Sequence, residues 1–469
     1  MNRPEKPRRP ARRAKPAKPV KSAGRKPRTP KPAEKPPKER PAATRALPDI
    51  VYDAERGDYW RQVPDGTYVR TKERDLARHL RLLDWSPDAP TETFKVSKLD
   101  ALLVKTQNGG GVDHVLALAG HRPGVFRTQD GRRILVPRAP RPVRPQPGDF
   151  SDWDRFLEEL LGPEAVQAFL GWLHCALTDL HGGEITRWRH NQMLVLAGPP
   201  RCGKSFLQTL ITHLCGGREA NPYRWMAGET TFNEDLAVAE HLGMAEVPPL
   251  TGNARRTFAG RVKELAVSTT LDVHPKGRSA VLLPTFRRIT LSVNDDADYL
   301  AAVPSLDESM RDKVMLLACR PAAMLPDWKA NLERFQRQAP AFVAAVLATP
   351  PATPDERFGA ATWHDPRLLS LLADFEPHWK LNEILDAVLW KEAAADTELP
   401  PPLRTTATEL QTRLLADPKW SGVARQILPH SSVVGVLLSK LEASMPTRFR
   451  CTRSQGRASW LLCPPPREA

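Results

Sequence analysis

The sequence predicts an α/β protein built on a parallel sheet, with a small α+β region ahead of the sheet, a unit of three helices and a hairpin behind it, and an unfolded basic tail in front. Three observations carry this reading: a charge surplus confined to one tenth of the chain, an apolar run at 193–197 leading into a glycine-framed loop, and a change of pattern after the proline run at 400–402.

The tail comes first. Residues 1–45 hold 17 Lys or Arg against three acids, so they carry +14 of the formal +15, and the other 424 residues carry +1. The segment is Pro-rich and has no aromatic residue, so it cannot bury enough apolar surface to offset the entropy of ordering it, and disorder is expected over 1–48. Such a tail attracts polyanions without sequence preference and in a salt-dependent way. No apolar stretch approaches the roughly 18 residues of a membrane span. No apolar segment follows the basic start as in a secretory leader, so a cytosolic protein is expected, or a nuclear one in a eukaryotic host. Six scattered cysteines, without CxxC pairs or histidine pairs at ligand spacing, indicate neither a zinc site nor a disulfide framework.

A small α+β domain is expected over 49–147. Short strands at 51–52, 59–60 and 67–69 are separated by Gly57 and by Asp65-Gly66. A helix over 71–83, with Thr71 as N-cap, places Leu76, His79, Leu80 and Leu83 on one face. A hairpin turns at Asp130-Gly131, and the Pro/Arg run 137–147 reads as an extended linker.

The α/β core is expected over 148–345. Helical spacing of Trp153, Phe156, Leu157, Leu160 and Leu161, then of Phe169, Trp172, Leu173 and Leu177, predicts helices on either side of Gly162-Pro163. The run 193–197 is apolar at every position, as a strand covered on both faces must be. Further strands are expected at 281–283 and 289–293. Beyond Arg320 the pattern is helical and interrupted by Pro340, Pro350 and Pro354, with a helical connector and linker over 346–402.

Residues 198–205, Gly198-Pro199-Pro200-Arg201-Cys202-Gly203-Lys204-Ser205, fit G-x-x-x-x-G-K-[ST] at every position, after a strand and before a helical pattern that opens at Phe206. The glycines let backbone N–H groups of 198–206 fold around phosphate oxygens, Lys204 reaches the β- and γ-phosphates, and Ser205 contacts Mg²⁺. This predicts a P-loop nucleotide site for ATP with Mg²⁺. Hydrolysis needs an acid at the end of a second strand, and the run 242–247 offers Glu246, preceded by Ala245 where a second carboxylate is usual. A third strand ends in Asn294, whose amide could orient the attacking water, or simply end the strand.

Together, the 198–205 motif, Glu246, the basic hairpin between the acidic and amide strand ends, and Asn294 resemble the superfamily 3 helicases, in the form found in phage, plasmid and satellite-element primase-helicases. The stretches 169–174 and 309–313 are similar to that group as well. The resemblance implies an AAA+-like core, a homo-hexameric ring on single-stranded DNA, Glu246 as the Walker B acid, which with Ser205 holds Mg²⁺, and Asn294 as sensor. It also implies that Arg311 is the arginine finger given to a neighbour's site. About 100 ordered residues precede the core, too few for the primase domain many relatives carry, so any primase would be a separate partner.

Candidate DNA contacts follow. His274, Lys276 and Arg278 sit on a Pro/Gly turn between two β-prone segments, the position of the family's pre-sensor hairpin; a solvated basic turn is the plain alternative. Arg255, Arg256, Arg261 and Lys263 on the helix after Asn253 face DNA, a neighbouring subunit or solvent. Over 403–469, helices at 405–415, 423–427 and 431–441 precede two strands, a plan that resembles a winged helix. There Lys440 would enter the major groove and Arg448, Arg450, Arg453 and Arg457 would hold phosphates of duplex DNA; such units also dock proteins.

The expected function is an ATP-dependent DNA helicase or replication-initiation ATPase of a mobile element. Two alternatives stay open: a nucleotide-bound, weakly hydrolysing DNA-binding replication or repressor factor, and an ATPase switch that docks a host protein through its winged helix.

Overall fold

The computed structural model describes residues 47–83, 85, 91, 96–109, 111–183, 188–245, 247–248, 252–323, 327–374, 377–390, 400–454 and 457–465. Residues 1–46 of the tail expected over 1–48 and the turn at Gln455-Gly456 lie outside the described residues.

The chain begins with an antiparallel meander of β1 (Ile50–Asp53), β2 (Asp58–Gln62) and β3 (Tyr68–Thr71), which β4 (Gly111–Val112) extends in parallel beyond β1. The β1–β2 turn places Gly57 at φ 69°, a conformation glycine adopts without strain. Two helices cover this sheet, α1 (Glu73–Arg81) and α2 (Lys98–Gly109), and bury Leu76, Leu80 and Leu103 against Tyr59. Thr71 is not the cap of α1. It ends β3 and its hydroxyl donates to the Val69 carbonyl (3.0 Å), while Lys72 is the N-cap without a side-chain bond. A second small sheet has the order β5 (His114–Val115), β7 (Arg133–Val136), β6 (Gly124–Arg127), and contains the expected hairpin.

Next come α3 (Ser151–Leu161) and α4 (Pro163–Gly182), joined at Gly162 with φ 77°. Pro163 opens α4, where its fixed φ suits the first helical position and its missing N–H costs nothing. The central sheet is five-stranded and parallel throughout. Its order is β14 (Val314–Ala318), β8 (Met193–Ala197), β13 (Arg288–Val293), β10 (His241–Ala245) and β9 (Glu219–Ala220). Strand β8 explains its own sequence: Met193, Val195 and Ala197 enter one apolar cluster and Leu194 and Leu196 the other, so no position of the strand faces water. Each such burial stabilises the fold by about 2 kcal/mol.

One face is covered by α3, α4, α5 (Lys204–Leu214) and α10 (Trp328–Ala348). The other face is covered by α6 (Tyr223–Met226), α7 (Glu234–Val238), α8 (Gly252–Val267), the hairpin of β11 (Thr270–Val273) and β12 (Val281–Pro284), and α9 (Ala297–Leu300). Pro340 does not interrupt α10, because Ala339, Ala341, Phe342 and Val343 around it are buried and hold the helix against the loss of one backbone bond.

The connector expected at 346–402 is divided by its packing. Leu368 and Leu372 of α11 (Pro366–Asp374) join the core under β14. Leu381, Ile384 and Leu385 of α12 (Pro377–Leu389) join the C-terminal core instead. That core also contains α13 (Ala407–Ala416), α14 (Ser421–Ile427), α15 (Ser431–Ser444) and a sheet in the order β15 (Leu403–Thr405), β17 (Arg457–Leu462), β16 (Phe449–Ser454). Helix α13 starts two residues later than expected, with Thr406 and Glu409 forming a reciprocal capping box. Among the described residues no helix is long and apolar enough to cross a membrane.

Candidate functional site

The 198–205 loop leaves β8 at the carboxyl edge of the sheet, where the strands on its two sides lead to opposite halves of the sheet, the position at which open α/β sheets bind ligands. Both neighbours hold the loop's base: the Gly198 N–H donates to the Val293 carbonyl (3.2 Å), and the Cys319 N–H donates to the Ala197 carbonyl (2.7 Å). A Cβ on Gly198 would collide with the Cys319 backbone and side chain, so the motif's first glycine is required by close approach. Arg201 (φ 62°) and Gly203 (φ 120°) turn the loop back on itself, and the helix of Lys204 follows at once.

Lys204 is buried. Its ammonium donates to the carbonyls of Gly198 (2.6 Å) and Pro199 (2.7 Å) and stands 3.4 Å from Asn294 Oδ1. Asn294 is therefore brought against the loop. Ser205, Arg201 and Pro200 are exposed, whereas Cys202 and Phe206 turn inward. Phe206 packs edge-on against Phe156, Trp328 and Phe335, so its side chain belongs to the core and its backbone N–H is the part left for a nucleotide. Hydrogen bonding from the Cys319 thiol, aided by the Lys204 charge, lowers the Cys202 thiol to about 6 against the opposing effect of burial.

The loop's residues suit a triphosphate: its first glycine has no room for a side chain, its lysine folds back over the loop carbonyls, and its serine lies in the first turn of a helix.

Helix α5 is fixed beneath this loop by polar contacts. Gln208 Nε2 donates to the Met244 carbonyl (3.0 Å) and to Thr290 Oγ1 (2.8 Å), and the Thr212 hydroxyl meets His241 Nδ1 (2.6 Å) and Glu219 Oε2 (3.0 Å). His241 Nε2 closes the network on Thr290 Oγ1 (2.8 Å). Burial pushes the His241 imidazole down to about 3, so it stays neutral. None of these residues is marked by a local sequence motif.

Strand β10 ends at Ala245, beside Ser292 of β13; Glu246 lies outside the described residues. Glu240, just upstream of β10, is buried and paired with Arg218 at the opposite end of the strand, also accepting from the Gly120 N–H (2.8 Å). Its role there is structural. Arg311 sits in a short 3-10 turn before β14, at the amino edge of the sheet and away from its own loop. With Lys440 of α15 it lines a groove of about 500 Å³.

The β11–β12 hairpin forms as expected, with Gly277 at φ 75° and Lys276 exposed at the turn. Arg278 does not project into solvent. Its side chain is 9% exposed and its Nε lies 3.0 Å from Glu55 in the β1–β2 turn. Arg132 adds a bond to the Ala280 carbonyl (2.9 Å), and His274 is tied to Asp272 (3.0 Å) and, through its N–H, to Asn233 (2.7 Å). On α8, Arg261 lies over Trp225 (4.0 Å) and pairs with Glu264 (2.6 Å), while Lys263 meets Ser309.

In the C-terminal unit Arg450 and Arg453 are exposed, and the Arg457 side chain lies outside the described residues. Arg448 is a correction. It is buried, with Nη2 2.6 Å from Asp386 Oδ1 and Nη1 3.0 Å from Asn382 Oδ1, so its charge is taken up by α12.

The chain matches no protein-family model and no curated protein. Among solved structures it is similar to the apo NrS-1 C-terminal region, at 13% identity and TM-score 0.52, over 89% of this chain and 96% of that one. A second apo structure of the same region gives TM-score 0.50 at 13% identity and the same coverage. Cch of SCCmec type IV, described as an active helicase, aligns with 84% of this chain and 70% of its own at 13% identity, but its TM-score of 0.29 is too low to establish a shared fold. The likeness to the NrS-1 region is one of fold, a mixed α/β architecture with a parallel sheet that extends over nearly the whole of both chains.

Proposed function

We propose that the chain is an ATP-dependent DNA helicase or replication-initiation ATPase of the superfamily 3 type, from a phage, plasmid or other mobile element, working as a ring on single-stranded DNA. The observation that carries the reading is the convergence of Lys204 and Asn294, from adjacent strand ends, on one loop with the G-x-x-x-x-G-K-[ST] pattern. Lys204 would exchange its loop carbonyls for β- and γ-phosphate oxygens, and backbone N–H groups of 198–206 would complete the cradle. Asn294 would orient water towards the terminal phosphate, and Glu246 would take its proton. Mg²⁺, when bound beside Ser205 and Glu246, neutralises charge on the triphosphate.

Arg311 lies at the far edge of the sheet from its own loop, which supports a role in a neighbour's site and hence a hexameric ring. Lys276 on its hairpin, with the exposed Arg450 and Arg453 and the helix of Lys440 in a winged-helix-like unit, would contact DNA. DNA-stimulated ATP hydrolysis by the wild type and its loss in Lys204→Ala test the proposal; hydrolysis that survives the substitution overturns it.

Ala245 at the end of β10 favours a second reading, in which ATP is held but scarcely cleaved and the chain acts as a DNA-binding factor. Tight ATP binding without turnover distinguishes that case. A switch that docks a host protein through the C-terminal unit is favoured by the exposed Val436 on α15, and an absence of any DNA shift at low salt would support it.

A further inference from the structure

The N-terminal sheet carries a basic groove that the functional reading above leaves unused. Arg61 of β2, Arg70 of β3, and Lys72 and Arg78 at α1 line one open groove of about 690 Å³, with Val69 and Leu82 on its apolar walls. Those two side chains are 44% and 76% exposed. A single carboxylate, Asp75, faces four full cations, in a part of the chain whose net charge outside the tail is only +1. Arg70 pairs with Asp58 and Arg78 with Asp75 (3.2 Å), yet both arginines stay exposed. Arg61 and Lys72 form no ion pair among the described residues. His79, on the same groove, is held below its ordinary value by burial and then by the Arg61 charge, so it adds no positive charge of its own.

We propose that this groove binds the sugar-phosphate backbone of DNA. Its cations come from two strands and from both ends of α1, where Lys72 and Arg78 are six residues, about 9 Å, apart along the helix axis, which suits successive phosphates better than one small anion. The apolar walls offer contact to sugars and base faces. Only the identity of the ligand rests on the proposed DNA function; ATP hydrolysis plays no part in it.

The test uses the full-length chain and fluorescent oligonucleotides, single-stranded and duplex, titrated over about 50 to 200 mM salt. Losing two phosphate contacts in Arg61→Gln with Lys72→Gln should weaken binding about tenfold and reduce the salt slope by about 1.4 on a single strand or 1.8 on a duplex. The larger change identifies the strand form bound. The charge-conserving pair Arg61→Lys with Lys72→Arg should match the wild type, and basal ATP turnover should be the same in all three. Unchanged affinity and slope in the neutral pair overturn the proposal, as does a charge-conserving pair that is equally weak. Loss of ATP turnover in the wild type would count against the helicase reading alone.

Discussion

Lys204 Nζ stands 3.4 Å from Asn294 Oδ1, although the two residues are 90 positions apart. They meet because β8 and β13 are adjacent and parallel, with Ala197 beside Val293, so the residues just beyond both strands share one edge. In the proposed hydrolysis an amide in that place would act on the reacting water rather than on the triphosphate. Asn294→Ala should therefore lower kcat about a hundredfold while nucleotide affinity changes by less than about threefold. Steady-state ATPase assays and equilibrium binding of a fluorescent nucleotide separate the two effects, and equal losses in both would remove Asn294 from the chemistry.

The Arg278–Glu55 pair makes a contrasting prediction. Glu55 occupies the guanidinium that a DNA phosphate would otherwise take, and it ties the hairpin to the N-terminal sheet. Glu55→Gln should raise single-stranded DNA affinity by about threefold at low salt, with the gain shrinking as salt screens the pair. Fluorescence anisotropy at two salt concentrations measures it. A weaker complex would mean that the pair holds the hairpin in its binding shape.

Acid should destabilise the fold through His241. Its folded value is about 3, depressed by burial, against about 6.5 in the unfolded chain, so the unfolded chain binds the proton first. The contribution is complete above about pH 6.5 and is lost as pH falls from there towards 3, by at most about 1.4 kcal/mol per pH unit. His121 and His181 are shifted in the same direction by burial, so part of the acid sensitivity will remain in any single variant. In His241→Gln the drop in thermal midpoint between pH 7.5 and 5.5 should be smaller than in the wild type by one or two degrees, about the shift expected for such a free-energy change in a chain of this size. An unchanged drop would show that His241 does not carry the linkage.

Arg448 should matter for folding and not for DNA. Arg448→Ala leaves Asp386 without its partner and costs about 2 kcal/mol, since Asp386 keeps some access to water. Melting of the C-terminal unit should fall by several degrees while DNA affinity stays within about twofold. Arg450→Ala and Arg453→Ala should do the reverse, and a melting curve paired with a binding isotherm for each variant decides between them.

What the sequence revealed depended on whether the cause was local. The 198–205 loop, the all-apolar strand before it and the hairpin around Gly277 are each specified by contiguous residues, and each is found where it was expected. The start of α13 fell beyond the expected 405 because Thr405 and Thr406 are chemically alike, and only pairing of Thr405 with Trp460 assigns the first to a strand and leaves the second as the cap. The fates of Arg278 and Arg448 could not be read at all. A basic residue in a turn or on a hairpin has the same sequence signature whether it faces solvent or a carboxylate brought from 223 or 62 positions away.

The network beneath α5 has a further consequence. Lys204, Gln208 and Thr212 are four residues apart, so they form one stripe of the helix, and every member of it is tied by a polar contact to β13, β10, β9 or the residue that follows β13. Apolar packing allows a helix to slide or roll by small amounts, but hydrogen bonds of fixed direction do not. Thr212 and His241 thus act as a key and slot that set the rotational phase of α5, and with it the aim of the lysine about 12 Å further along the axis. The angle at which the ammonium would enter the proposed phosphate site is set at the far end of its own helix, by a threonine and a histidine about two turns away from it.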